Sequence, residues 1–124
     1  MADFDYALLR SQLEALLGDE TDALANTSNF VALLFHALED VNWLGVYIRR
    51  DEELVLGPFQ GQPACVRIPM GKGVCGTAAA TGTTQRVADV HAFPGHIVCD
   101  AASRSELVVP LFTSDRLILS LIHI

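Results

Sequence analysis

At Val41 the hydrophobic spacing of the chain changes from that of a helix to that of a strand, which divides it into a helical start and a sheet-forming remainder. Before the switch, Tyr6, Leu8, Leu9, Leu13, Leu16 and Leu17 recur at helical spacing within residues 4–17, and Gly18 stands just past the end. Thr21 or Asp22 can cap a second helix that runs to about Glu39 through Leu24, Phe30, Val31, Leu33, Leu34, Ala37 and Leu38. The polar run Asn26-Thr27-Ser28-Asn29 is a candidate break or second cap within it. After the switch the period is two: Trp43, Gly45 and Tyr47 face one way, Leu44, Val46 and Ile48 the other. The charged turn Arg49 to Glu53 and the return run Leu54 to Phe59 complete a hairpin. Short strands are expected at Ala64–Ile68 and Gln85–Val87, a short helix at Val74–Ala80 stopped by Gly82, and two last strands at Ser105–Phe112 and Leu117–Ile124. This order implies an α+β domain, a central antiparallel sheet covered by helices, with the functional loops on the other side.

At 124 residues the chain is expected to form one domain, 1–124. Its formal charge of -7, with eight scattered Lys and Arg, argues against nucleic acid, which draws on clustered cations. A small solute or a protein partner is the better expectation. The first residues carry neither a basic nor an apolar leader, and no apolar run approaches the roughly 18 residues of a membrane span. No membrane association is expected, and the expected location is cytoplasmic. Three cysteines in a reducing compartment leave free thiols, metal ligands or redox chemistry rather than a disulfide framework.

The residues suited to chemistry concentrate between Cys65 and Pro110: Cys65, Cys75 and Cys99, with His91 and His96. Zinc fits poorly, because structural sites usually pair ligands about two to four residues apart and only His96 and Cys99 do so. The turn Gly71-Lys72-Gly73-Val74-Cys75-Gly76 lacks the Gly-Lys-Ser/Thr ending of a phosphate-binding loop. Neither a metal nor a cofactor is therefore expected. Thiol redox chemistry fits better, since it needs a nucleophilic thiolate and a second thiol that can reach it, with no fixed spacing between them. The competing reading of each cysteine is a small buried hydrophobe, and Cys75, among Val, Gly and Ala, suits that reading best.

Five strings carry a resemblance: residues 41–47 (VNWLGVY), 54–61 (LVLGPFQG), 64–69 (ACVRIP), 71–78 (GKGVCGTA) and 96–106 (HIVCDAASRSE). In order and spacing they resemble free methionine-R-sulfoxide reductase, a GAF-domain enzyme family. The resemblance covers roughly residues 20–118. It implies a GAF-like fold, with helices on one face of the sheet and a loop-enclosed pocket on the other. It also implies reduction of free methionine-R-sulfoxide, with thioredoxin as the recycling partner and a homodimer left open. In the resemblance, Cys99 matches the catalytic cysteine, Cys65 the main resolving cysteine, and Cys75 a third cysteine able to join a disulfide. Trp43 and Tyr47 match aromatics at the methyl end of the substrate, and Glu106 a pocket carboxylate. The alternative is a GAF module that binds a small ligand without turning it over, since one fold serves both.

The implied chemistry suits these residue types. A sulfoxide sulfur is a poor electrophile until its oxygen takes a proton or hydrogen bond, so a thiolate must be paired with a nearby acid. The chain departs from the family pattern at its end. The resemblance implies an Asp-x-Asp pair in the last strand and a helix beyond it; the aligned residues here are Ile122 and Ile124, and the expectation is a chain that stops early or is altered after about residue 118.

Overall fold

A computed structural model describes residues 4–89, 92, 105–112 and 117–123, the last of these as backbone alone. Two helices come first, α1 (Tyr6–Leu17) and α2 (Ala23–Ala37). Asp5 caps α1 by accepting from the Leu8 N–H at 2.9 Å, and Asp22 caps α2 by accepting from Ala25 N–H at 2.8 Å. Gly18, at φ +51°, ends α1 and donates its N–H to the Glu14 carbonyl.

No break interrupts α2. Thr27 and Ser28 turn their hydroxyls back onto the carbonyls of Ala23 and Leu24, and the Asn26 amide donates to the Glu20 carbonyl. Polar side chains that bond back onto the helix do not compete for its N–H groups, so the helix continues. It stops at Ala37, slightly before the expected Glu39, and Asp40 turns the chain at φ +63°.

Six strands follow or flank a third helix: β1 (Trp43–Arg50), β2 (Glu53–Gln60), β3 (Arg67–Pro69), α3 (Gly73–Thr81), β4 (Gln85–Val87), β5 (Glu106–Phe112) and β6 (Leu117–His123). They form one antiparallel sheet in the order β3-β2-β1-β6-β5-β4. The β1–β2 hairpin is tighter than its charged run suggests, because pairing continues to Arg50 and Glu53 and leaves Asp51-Glu52 as the turn. A register shift between Gly45 and Tyr47 marks an irregularity in β1 against β2.

The alternation read in β1 sorts the two cores. Leu44 and Val46 join Val31 of α2, with Phe30, Leu34, Phe35, Leu38 and Val41 packed around them. Trp43 and Tyr47 join Leu54, Ile68, Val74, Cys75, Ala78, Ala79 and Val108. Helix α2 thus covers one face with α1 packed against it, while α3 packs on the opposite face. The expectation of helices on one face holds for the first two, and α3 lies on the pocket side because its small residues let it settle close to the sheet. Gly76 shows how close: a Cβ there would lie 2.6 Å from the Pro69 carbonyl.

Candidate active site

The face opposite α1 and α2 carries a row across the sheet. Trp43 on β1 pairs with His123 on β6, which pairs in turn with Glu106 on β5. One strand therefore separates Trp43 from Glu106, about 10 Å between backbones. Two residues along β1 from Trp43, Gly45 pairs with Leu121, and Leu121 with Val108.

Three rings stack above this row. The Trp43 indole lies 5.4 Å from the Phe59 ring at 16° and 6.3 Å from Tyr47 at 26°. Gly45 makes the stack possible, since a Cβ there would meet Phe59 Cβ at 2.5 Å and Trp43 Cη2 at 2.6 Å. The polar tips of both pocket aromatics reach the loop that follows β2. Trp43 Nε1 donates to the Gln62 carbonyl at 3.0 Å, and the Tyr47 hydroxyl donates to the Cys65 carbonyl at 2.8 Å. The strand β3 begins at Arg67 rather than at the expected Ala64, although the Val66 carbonyl still accepts from the Leu56 N–H of β2.

Glu106 is a buried carboxylate on β5. It is close enough to act electrostatically on two neighbours: burial, then the Cys75 thiol and Glu106, hold the Tyr47 phenol well above its ordinary range. Burial, then Glu106, do the same to the Cys75 thiol. Cys75 sits in the core on α3 as a free thiol, and its proton is held where a nucleophile needs it removed. Cys65 is half-buried and disulfide-bonded. Cys99, His91 and His96 lie outside the described residues. The structure thus brings together Trp43, Tyr47, Cys65, Cys75 and Glu106 on one face.

A GAF domain model matches residues 12–121. The chain is 55% identical over 113 residues to the free methionine-R-sulfoxide reductase of Escherichia coli K12, a match covering 91% of this chain and 68% of that protein. It belongs to the GAF-domain family of free methionine-R-sulfoxide reductases. Protein YtsP of Bacillus subtilis is 59% identical over 116 residues, covering 92% of this chain and 71% of that protein. The X-ray structure of free methionine-R-sulfoxide reductase from Neisseria meningitidis, in complex with its substrate, superposes with a TM-score of 0.87 at 48% identity, covering 99% of this chain and 76% of that one.

Two features of this family member were not singled out in its sequence. Phe59, the outer ring of the stack, reads as an ordinary strand residue, and only its pairing with Gly45 across the hairpin brings it onto Trp43. The second is the backbone register at the end of β6. Ile122 pairs with Leu44 and Leu107, whereas His123 pairs with Trp43 and Glu106; Ile124 lies outside the described residues. In an antiparallel ladder one residue of offset exchanges the faces, so the backbone position in the pocket row is 123.

Proposed function

We propose that this chain, as a single GAF-like domain spanning 1–124, reduces free methionine-R-sulfoxide to methionine by a cysteine thiolate. Cys99 attacks the sulfoxide sulfur while an acid in the pocket protonates the sulfoxide oxygen. Methionine leaves, and the oxygen remains on Cys99 as a sulfenic acid. The Cys65 thiolate then closes on that sulfur, water departs, and thioredoxin reduces the resulting disulfide by exchange. The sulfur of the substrate gains two electrons, and the two cysteines supply them.

The observation that carries this reading is the state of the two described cysteines. Cys65, beside the aromatic stack, is disulfide-bonded, while Cys75 is a free thiol held protonated by burial and by Glu106. That division suits Cys65 as the resolving residue and leaves Cys75 the milder role of a packed thiol. The rings of Trp43 and Tyr47 offer an apolar wall for the methyl group. Glu106, one strand away in the same row, offers a carboxylate for the ammonium of the substrate or, when protonated, a donor to the sulfoxide oxygen. An apolar wall and a carboxylate this far apart suit a small molecule with an apolar end and an ammonium.

The test is consumption of the two epimers of free methionine sulfoxide with dithiothreitol as reductant. The R epimer is expected to be consumed and the S epimer to remain. A folded chain that leaves both untouched refutes the proposal and favours a binding module on the same fold.

A further inference from the structure

The loop from Gly61 to Val66 is tied to the sheet by its carbonyls. Trp43 Nε1 donates to Gln62, the Tyr47 hydroxyl to Cys65, and the Leu56 N–H to Val66 at 2.8 Å. Two of these donors are the tips of the pocket aromatics. We propose that the Tyr47 hydroxyl, assisted by the Trp43 indole N–H, is a positioning clamp that holds Cys65 for the resolving step. The inference rests on the reductase reading above and assigns Tyr47 a second task, distinct from the contact its ring makes with substrate.

The resolving step needs such a clamp. The Cys65 thiolate attacks the sulfenic sulfur, an S–S bond forms, the S–O bond breaks, and the departing hydroxide takes up a proton as water. Cys65 is oxidised and the sulfenic sulfur is reduced to the disulfide level. The rate of this internal reaction depends on how often the thiolate lies near the sulfur, and restricting a loop raises that fraction. Gln62, Pro63 and Val66 are exposed and only the half-buried Ala64 and Cys65 pack against the core, so apolar packing gives most of the loop little anchorage. The hydrogen bonds take its place. Gly61, at φ +127°, lets the loop start against the indole: a Cβ there would meet Trp43 Cδ1 at 2.7 Å and the Asn42 carbonyl at 2.9 Å. Burial keeps the Tyr47 phenol protonated, hence a donor, across the neutral range.

Tyr47→Phe removes the hydroxyl and keeps the ring. Reduced protein is mixed with free methionine-R-sulfoxide, and the lifetime of the sulfenic acid is followed by dimedone trapping and intact mass. The decay is normalised to the sulfenic acid formed, so a changed first step does not enter. Loss of one neutral hydrogen bond is expected to lengthen that lifetime roughly threefold to tenfold. Thermal melting is measured alongside, because a purely structural role lowers the melting point and leaves the lifetime alone. Gly61→Ala displaces the start of the loop from outside the aromatic set and is expected to lengthen the lifetime too. If the parent chain forms and resolves its sulfenic acid, and Tyr47→Phe resolves it equally fast, the clamp alone is overturned. A parent that forms no sulfenic acid overturns the reductase reading and the clamp with it.

Discussion

Gly45→Ala tests whether the ring stack depends on the missing side chain beneath it. The added Cβ would lie 2.5 Å from Phe59 Cβ, 2.6 Å from Trp43 Cη2 and 2.9 Å from Trp43 Cζ3. Carbon atoms rest at about 3.5 to 4.0 Å, so about 1 Å must be recovered. Phe59 Cβ cannot rotate away, since it is fixed by a backbone paired directly with Gly45. The paired backbones must part at that point, and the indole must move as well, although its N–H is tethered to the Gln62 carbonyl. Overpacking of this kind costs about 1–3 kcal/mol, and replacing glycine within a strand returns roughly 0.5–1 kcal/mol. The net is about 0–2.5 kcal/mol of lost stability, or a melting point lower by up to roughly 10 °C. Urea denaturation reads this as a lower midpoint at unchanged slope. Trp43 is the one tryptophan in the sequence, so a red shift of its emission reports the displaced indole directly. The KM for free methionine-R-sulfoxide is expected to rise more than kcat falls. A variant with the parent's midpoint, emission and KM refutes the reasoning.

Two further outcomes follow from the buried thiol. Cys75 and Tyr47 both hold their protons more tightly folded than unfolded, so their contribution to stability is complete below pH 9.0, the ordinary value for the thiol, and is lost as the unfolded chain ionises above it. Urea denaturation is therefore expected to show stability falling from about pH 9, at a slope approaching 1.4 kcal/mol per pH unit for each group. Cys75→Ala is expected to delay the onset by about one unit, toward the tyrosine range, and a flat profile to pH 10.5 contradicts this. Cys75 in folded, reduced protein is also expected to resist iodoacetamide at pH 7 and to react once denatured; prompt labelling of the native chain contradicts its burial.

What could be read in the sequence was what short-range patterning encodes. The switch at Val41 placed two helices before the sheet, and the alternation through Trp43, Leu44, Gly45, Val46 and Tyr47 matched the two cores side chain by side chain. The polar run at 26–29 was misleading because its hydroxyls serve the helix they interrupt in composition. The early end of pairing before Arg67 was hidden for a different reason. The Cys65 carbonyl there faces the hydroxyl of Tyr47, far upstream in sequence, a contact that local patterning does not reveal. Phe59 was likewise invisible until hairpin register placed it over Gly45. In β6 the backbone position that shares a row with Trp43 and Glu106 is 123, which only the pairing with β1 and β5 reveals. Cys99 stands among the three thiols legible in the sequence, its catalytic role rests on the family resemblance, and its segment lies outside the described residues.

The most direct test of the account is a single turnover of reduced Cys65→Ser with free methionine-R-sulfoxide, methionine counted by chromatography and the protein weighed intact. The account predicts one methionine released per chain, a stable mass gain of one oxygen on Cys99, and no methionine at all from Cys99→Ser. A full turnover from Cys99→Ser, with none from Cys65→Ser, would contradict it.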